Sequence, residues 1–327
     1  MNPKVSILVP VYNVSGYIGR CAESLFKQTF SDIEYIFVND ATPDDSIKQL
    51  EKIIALYPDR KNQVKILHHT RNMGLAYTRN TAIDASSGDY LCVVDSDDYI
   101  EPDMVETLYN KAILEHADIV VSNVFMEYGD RTVVIGDYVD PDRKENFKNI
   151  IIYDITCPSL WNKMVRRSLY KRQDCRVPEG LNYYEDRHVM TRLYFFATKI
   201  VKVEQAFYHY VQYNTNAITK TKNRMHFENV VRFWELFDAF LKEQNLYEKY
   251  RPIIAYAKIQ GKVRIMIDTH TSCLRKEYAD IFSEEEKECI SQFTPGERLM
   301  LNLVRHRLFF TAQLFHNFLV LKNALKF

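Results

Sequence analysis

The sequence predicts an α/β architecture: a mostly parallel sheet flanked by helices, with a helical C-terminal extension. Three observations lead there. Short apolar runs alternate with stretches of helical spacing through residues 1–124, several apolar runs end in polar or acidic residues, and the pattern turns helical from residue 223 onward. Strands that alternate with helices at this spacing pair in parallel, and the crossover helices cover both faces of the sheet.

The elements follow in order. Val5–Val9 is an apolar run closed by Pro10 and reads as a buried strand. Gly16–Gln28 has helical spacing through Ile18, Cys21 and Leu25. Glu34–Val38 is a second strand, and Asp45–Tyr57 a second helix with Ile47, Leu50, Ile53 and Ile54 on one face. Val64–Leu67 and Tyr90–Val94 are strands on either side of a helix over Leu75–Ala85. Pro102–Glu115 is a helix opened by proline, and Ile119–Val124 is another strand. Residues 125–222 are mixed in pattern. Further on, Ser283 with Glu286 and Thr294 with Glu297 each fit a helix-capping box, the second with Pro295 at the first helical position. We therefore expect a first domain over 1–222, in two halves (1–124 and 125–222), and a helical region over 223–327.

Bulk properties narrow the function. Of 327 residues, 46% are apolar, enough for a sizeable core; Lys+Arg and Asp+Glu both number 43, so the formal charge is zero. Proteins that track nucleic-acid phosphates carry a basic excess, so nucleic acid is not an expected partner. The six cysteines form no C-x-x-C pair, so they read as reduced thiols rather than zinc ligands. The opening MNPKVSILVPVYN has too short an apolar run for a secretion signal, and no stretch has the apolar length of a membrane span; a cytoplasmic location is expected. Neither G-x-G-x-x-G nor G-x-x-x-x-G-K-[ST] occurs, which argues against dinucleotide and P-loop enzymes.

In parallel sheets ligands bind at the carboxyl ends of the strands. Those ends read Pro10-Val11-Tyr12-Asn13, Asn39-Asp40, His68-His69 and Asp95-Ser96-Asp97-Asp98. Asp95, Asp97 and Asp98 repel one another unless a cation lies among them. Mg²⁺ and Mn²⁺ suit such a cluster, bound by one or two carboxylates together with substrate phosphates. The competing reading is that these aspartates cap the helix beginning near Pro102.

Six stretches, taken jointly and in this order, resemble the family 2 inverting glycosyltransferases of GT-A fold, of the bacterial polysaccharide type. They are Val5-Ser-Ile-Leu-Val-Pro-Val-Tyr-Asn13, Phe37-Val-Asn-Asp-Ala-Thr-Pro-Asp-Asp-Ser46, Arg71-Asn-Met-Gly-Leu-Ala-Tyr-Thr-Arg-Asn80, Gly88-Asp-Tyr-Leu-Cys-Val-Val-Asp-Ser-Asp-Asp98, Trp161-Asn-Lys163 and Tyr184-Glu-Asp186. The resemblance implies transfer of a sugar from a UDP-sugar, with Mn²⁺ or Mg²⁺, to a glycan or lipid-linked glycan hydroxyl in cell-surface polysaccharide synthesis. It also implies roles. Pro10 and Tyr12 wall the uracil, and Asp40 reads its edge; Asn39 stands where many members carry Asp. Asn72 and Arg79 belong to the donor site, Arg79 either reaching the diphosphate or forming a surface ion pair. Asp95 contacts ribose or sugar, Asp97 is the main metal ligand, and Asp98 is a second ligand or a helix cap. Asp186 is the general base, beside Glu185. Trp161 is a sugar platform or a core residue, Lys163 a phosphate partner, and His209 a metal ligand, a phosphate donor or a structural histidine. Lys220 and Lys222 touch the diphosphate or are merely solvated.

The segment 298–327 carries five Lys/Arg and no acidic residue. On one helical projection Arg298, Asn302 and Arg305 oppose Leu299, Leu303, Phe310 and Leu314, which predicts either shallow contact with an anionic membrane or packing on the domain or a partner. Oligomeric state is not legible. Two other functions compete with sugar transfer from the sequence alone. One is a sugar-nucleotide nucleotidyltransferase, which would want a Gly-rich basic loop where Pro10–Ser15 stands. The other is a non-catalytic glycan-binding or scaffold protein.

Overall fold

A computed structural model describes residues 3–152, 155–172, 175–215, 224–268 and 279–324. One compact unit comprises Met1–Ile150 with Ile155–Ala217, and the other Ile151–Asp154 with Ile218–Phe327.

The first unit is built on one sheet. Its elements are β1 (Val5–Val11), α1 (Ile18–Phe26), β2 (Ile33–Asn39), α2 (Ser46–Leu56), β3 (Val64–His68), α3 (Leu75–Ala85), β4 (Tyr90–Val93), β5 (Tyr99–Ile100), α4 (Met104–Leu114), β6 (Ile119–Glu127), β7 (Thr132–Ile135), α5 (Arg143–Ile151), β8 (Lys163–Arg166), α6 (Arg167–Tyr170), α7 (Glu185–Phe196) and β9 (Ile200–Val211). The strand order is β3-β2-β1-β4-β8-β6-β9-β5, with β7 on β6. β1 to β4 pair in parallel, as the alternation predicts. The second half is mixed, because β8 runs antiparallel between β4 and β6. β8 is a four-residue strand with Lys163 and Arg166 at its ends, so no apolar run announces it.

The helices bury one face each. α1 buries Ile18, Cys21, Ala22, Leu25 and Phe26, a 3-4-7-8 spacing that lays one stripe on the sheet. A buried carboxylate fixes the first strands to one another. Glu34 on β2 accepts from Ser6 Oγ of β1 (2.6 Å), from the backbone N of Ser87 (2.6 Å) and Gly88 (3.2 Å) ahead of β4, and from Lys65 Nζ of β3 (2.7 Å). Gly88 must be glycine there: a Cβ would stand 2.7 Å from Ser6 N.

β1 continues through Pro10 to Val11, beyond the end expected at Val9. Val5 N and Val11 O bond toward β2, whereas Lys4 O and Leu8 O bond toward β4. Pro10 shares the direction of Leu8, so its missing N–H faces β4, whose ladder has already ended at Leu8 and Val93. β1, β2, β3 and β4 therefore present Tyr12, Asp40, His69 and Asp95 along one edge of the sheet.

The second unit contains α8 (Arg224–Glu243), α9 (Tyr247–Asp268), α10 (Ser283–Cys289), α11 (Pro295–Arg305) and α12 (Phe309–Ala324). Its core includes Ile259, Val263, Phe293, Met300, Leu301 and Val304. Lys258, buried, bridges Asp238 (2.7 Å) and Glu285 (2.8 Å), and Lys262 pairs with Glu286 (2.8 Å). The capping box of Thr294 and Glu297 forms with Pro295 at the first helical position. The one expected at Ser283 does not, because Ser283 already lies inside the helix and Phe282 holds the cap position in the left-handed region (φ 56°). The basic C-terminal segment is not one continuous helix: it breaks between α11 and α12, where Arg307 takes φ 59°. Met300, Leu301 and Val304 are buried, whereas Leu299, Leu308, Phe310 and Leu314 are exposed.

Candidate active site

The three aspartates after β4 have three different environments. Asp98 is fully buried; Oδ2 accepts from Tyr208 Oη (2.7 Å) and Oδ1 from Val211 N (2.7 Å), both on β9. Burial, with repulsion from Asp97 and Asp95, raises its proton affinity well above the ordinary carboxyl range. Asp98 is therefore neither the metal ligand nor the helix cap expected of it. Its oxygens tie the acidic loop to β9, and Asp103 occupies the position before α4. Asp97 is only partly buried. Its Oδ2 accepts from Asn214 Nδ2 (2.7 Å), and burial, then repulsion from Asp95, raises its proton affinity. Asp95 donates its backbone N–H to Tyr208 Oη (3.0 Å) and accepts from Arg79 Nη2 (2.9 Å).

Arg79 is buried and faces three carboxylates. Nη2 bonds Asp95, while Nη1 bonds Glu185 Oε1 (2.8 Å) and Asp186 Oδ1. The guanidinium is thus neither a surface ion pair nor free to reach a diphosphate, which corrects both expectations for it. The remaining oxygen of Asp186 accepts from Leu160 N (3.3 Å). One cation does not neutralise three anions. Burial first, then repulsion from Asp186, raises the proton affinity of Glu185; that of Asp186 is raised by burial and by Asp95 against the pull of Arg79. Tyr184, just before α7, holds φ 68°, a left-handed conformation that a bulky side chain adopts at a cost of order 1 kcal/mol. That turn places Glu185 and Asp186 in the first turn of α7.

At the other end of α3, Asp40 is buried and accepts three hydrogen bonds. Oδ1 takes Met73 N (2.8 Å) and His69 Nδ1 (2.7 Å), and Oδ2 takes Gly74 N (2.9 Å). Asn72 is exposed, and its Oδ1 accepts Gly74 N (3.1 Å), closing the turn. Gly74 has φ +87°, and a Cβ there would meet the Asn182 side chain at 2.6 Å. Asn39 bridges His68 Nδ1 (3.1 Å) and Thr42 N (2.9 Å), one donor bond and one acceptor bond that an aspartate in its place would not supply together. Tyr12 is 46% exposed at the strand end. Pro10, buried inside β1, is part of the sheet and not of a ring-packing wall.

The profile of glycosyl transferase family 2 matches residues 6–174. EpsH of Bacillus subtilis (strain 168), a protein that bears a glycosyltransferase name, is 34% identical over 76% of this chain and 72% of its own length. The chain belongs to glycosyltransferase family 2. A second B. subtilis protein, the uncharacterized glycosyltransferase EpsJ, is 28% identical over 96% of each chain. S. aureus TarS, solved with UDP-GlcNAc, shares the fold at 18% identity, with a TM-score of 0.62 over 96% of this chain and 90% of that one. The architecture is thus GT-A, and the protein is a glycosyltransferase.

Three other expected residues of this transferase lie in the framework. Trp161 is buried and stacks on Tyr208 and Tyr210, with centroids 4.7 and 5.1 Å away, so it is a core residue and not a sugar platform. Lys163 is buried with Nζ on Asp137 (3.3 Å), Cys157 O (2.8 Å), Ser159 O (3.0 Å) and Asn162 Oδ1 (2.6 Å), leaving it no phosphate to meet. His209 is sandwiched between Tyr99 and Phe125, with its ring nitrogens on Glu127 (2.7 Å) and Glu101 (2.8 Å). Lys220 and Lys222 lie outside the described residues. Sequence reasoning missed Arg20, which lies over the Tyr99 ring (4.3 Å), bonds Tyr213 Oη (2.6 Å) and reaches the Asp97 carbonyl (3.5 Å). It missed Tyr208 and Asn214 too. The aromatic alternation of residues 207–213 was the available signal for a strand beside the acidic loop.

Two predictions follow from this geometry. Asp98→Ala leaves Tyr208 Oη and Val211 N without their acceptor, so we expect a loss of about 1–3 kcal/mol per orphaned group in denaturant unfolding, whereas Asp97→Asn should unfold close to the wild type. An equal, small effect of both would overturn the assignment of Asp98 as a structural tie. The second concerns pH. The folded protein holds the Glu185 proton to higher pH than the unfolded chain, so Glu185 costs stability as pH rises from the ordinary glutamate range. Glu185→Gln removes that cost, and its thermal midpoint should gain on the wild type at pH 8 relative to pH 5; a gain that is flat with pH would refute the shift.

Proposed function

We propose that this transferase moves a sugar, with inversion at its anomeric carbon, from a UDP-sugar to a hydroxyl of a glycan or lipid-linked glycan in cell-surface polysaccharide synthesis. The observation that carries the reading is the convergence of Asp95 at the end of β4 with Asp186 at the start of α7, bridged by Arg79, with Asp97 two residues on from Asp95. In the reaction Asp186 takes the proton of the acceptor hydroxyl as that oxygen bonds the anomeric carbon. The bond to the diphosphate breaks, and its electron pair leaves with the diphosphate. A base with raised proton affinity suits this transfer near neutral pH.

Asp40 supports a uracil base. A carboxylate offers about four lone-pair sites, and three are filled by Met73, Gly74 and His69. The fourth is left for a ring N–H, beside the exposed Tyr12 ring. Asn72 and Asp95 complete the donor side. Among the described residues no group of three or more His, Cys, Asp or Glu is arranged to hold a metal by itself. That fits a Mn²⁺ or Mg²⁺ site finished by substrate phosphates. Asp97 would hold the ion, its carboxylate unsettled by burial and by Asp95. When bound, the cation neutralises the charge of the leaving diphosphate. S. aureus TarS was solved with UDP-GlcNAc, and the mannosyltransferase PcManGT of Pyrobaculum calidifontis with GDP-Man and Mn²⁺; both support a nucleotide-sugar donor.

We assign 1–222 as the catalytic domain, with 1–124 as its nucleotide-binding half and 125–222 as its acceptor half, and 223–327 as the helical region; the compact unit Met1–Ile150 with Ile155–Ala217 supports the outer boundary. Among the described residues no helix is long and apolar enough to cross a membrane. Leu308 (51% exposed), Phe310 (77%) and Leu314 (54%) in a basic segment support shallow contact with an anionic membrane surface, at its cytoplasmic face.

The test of the reaction is a transfer and donor-hydrolysis screen over UDP-, GDP- and dTDP-sugars with Mn²⁺ or Mg²⁺. We expect turnover with a UDP-sugar, lost with chelator, and reduced about 10²–10⁴-fold in Asp186→Asn; turnover with GDP-sugars alone would overturn the reading of Asp40, and wild-type turnover of Asp186→Asn that of the base. For the membrane, the protein should co-sediment with phosphatidylglycerol vesicles and not with phosphatidylcholine vesicles. The triple change Leu308→Ser, Phe310→Ser, Leu314→Ser should abolish this; binding that survives it places the contact elsewhere.

A further inference from the structure

We propose that Arg79 is a positioning residue: it holds the Asp186 carboxylate where the acceptor hydroxyl must be met and locks it to the donor side of the site through Asp95. The inference rests on the reading of Asp186 as base.

The geometry is that of a clamp between distant parts of the chain. Arg79 comes from α3, Asp95 from the loop after β4, and Glu185 and Asp186 from α7, more than 100 residues later in the sequence. The guanidinium turns one edge to Asp95 and the other to the acid pair. That division needs a planar fork of fixed donors, which a lysine ammonium does not provide. Glu185 shares Nη1 with Asp186 and so limits the swing of the fork. The helix beneath is fixed as well: Asp40 grips Met73 N and Gly74 N ahead of α3, and Asn182 Oδ1 accepts Ala76 N (3.2 Å) in its first turn. A rigid path therefore runs from the residue assigned to the base of the donor, along α3, to the residue assigned to proton transfer.

As a device for stability the arrangement is poor. Three carboxylates share one cation in a largely buried place, and Arg79 Nε, also buried, has no hydrogen-bond partner among the described residues. An orphaned buried donor and an incompletely neutralised charge cluster both destabilise a fold. Tyr184 adds left-handed backbone strain at the neighbouring position. Local costs that accumulate around one side chain mark a site shaped for chemistry.

The test separates positioning from simple support of the fold. Asp186 is faced by Arg79 from α3, Asp95 from the loop after β4, Glu185 on its own helix, Lys163 from β8, Tyr170 from α6 and the Leu160 amide. Removing the cation makes Asp186 hold its proton more tightly, so the acid limb of kcat against pH moves upward. In Arg79→Gln and Arg79→Lys we expect UDP affinity with Mn²⁺, by calorimetry, within about twofold of wild type. Turnover should fall about a hundredfold, and in Arg79→Gln the acid limb should shift to higher pH. Wild-type turnover in Arg79→Lys, or a loss in Arg79→Gln with the limb unmoved, overturns the proposal. If the arginine variants do not fold, Asp95→Asn serves: Asp95 raises the proton affinity of Asp186, so deleting that negative charge should move the limb downward, and an unmoved limb counts against the clamp. Failure of the underlying reading is told apart by Asp186→Asn. Full transfer there removes the base itself, whereas a dead Asp186→Asn beside a fully active Arg79→Lys removes only the clamp.

Discussion

One guanidinium organises the catalytic unit. Arg79 reaches Asp95, Glu185 and Asp186 from a helix whose start is pinned by Asp40. The rest of the unit serves to bring these three acids within range of one cation, with Asp40 fixing the helix that carries it. The parallel ladders of β1, β2 and β4 align Asp40 and Asp95 on one edge of the sheet, and the left-handed turn at Tyr184 delivers the acid pair from α7. Because the charges do not cancel, the site retains an excess of negative potential. Such an excess favours cations and the protonated forms of its own carboxyls.

The parts of this arrangement that were legible in the sequence are the local ones. Apolar runs gave the first four strands and the helices between them: β1, β2 and β4 are buried and leave a continuous apolar mark, and the edge strand β3, only partly buried, still carries Val64, Ile66 and Leu67. The family's short motifs marked Asp40, Asp97 and Asp186 as candidates. Illegible were features decided by distant partners. Asp97 and Asp98 are adjacent and chemically identical; β9, more than 100 residues later, buries one and leaves the other partly open. Arg79 and Lys163 read as functional, and His209 as functional or structural, because each is a charged or titratable residue near a motif. Each proved to be surrounded by partners that a linear pattern does not encode. β5 and β8 were missed for a simpler reason: two and four residues are too short to show periodicity.

The helical unit shows the same limit in another form. Lys258 and Lys262 are one turn apart on α9, and on sequence alone would pass for a solvated face. Both are buried and paired with Asp238, Glu285 and Glu286, residues on two other helices. Buried ion pairs of this kind add little net stability compared with apolar packing. They do penalise any arrangement of α8, α9 and α10 that would leave a lysine unpaired, and so favour a single register of the helices.

Pro10 has a comparable effect at the mouth of the site. Its backbone offers no donor toward β4, and the β4 ladder stops two residues before it. A residue with an N–H at this position could extend the pairing and zip the two strands together beyond Val93. With proline, the strands are obliged to part where the acidic loop begins. The parting of β1 and β4 at the acidic loop is thus written into the sheet by a covalent ring, a stop codon for hydrogen bonding.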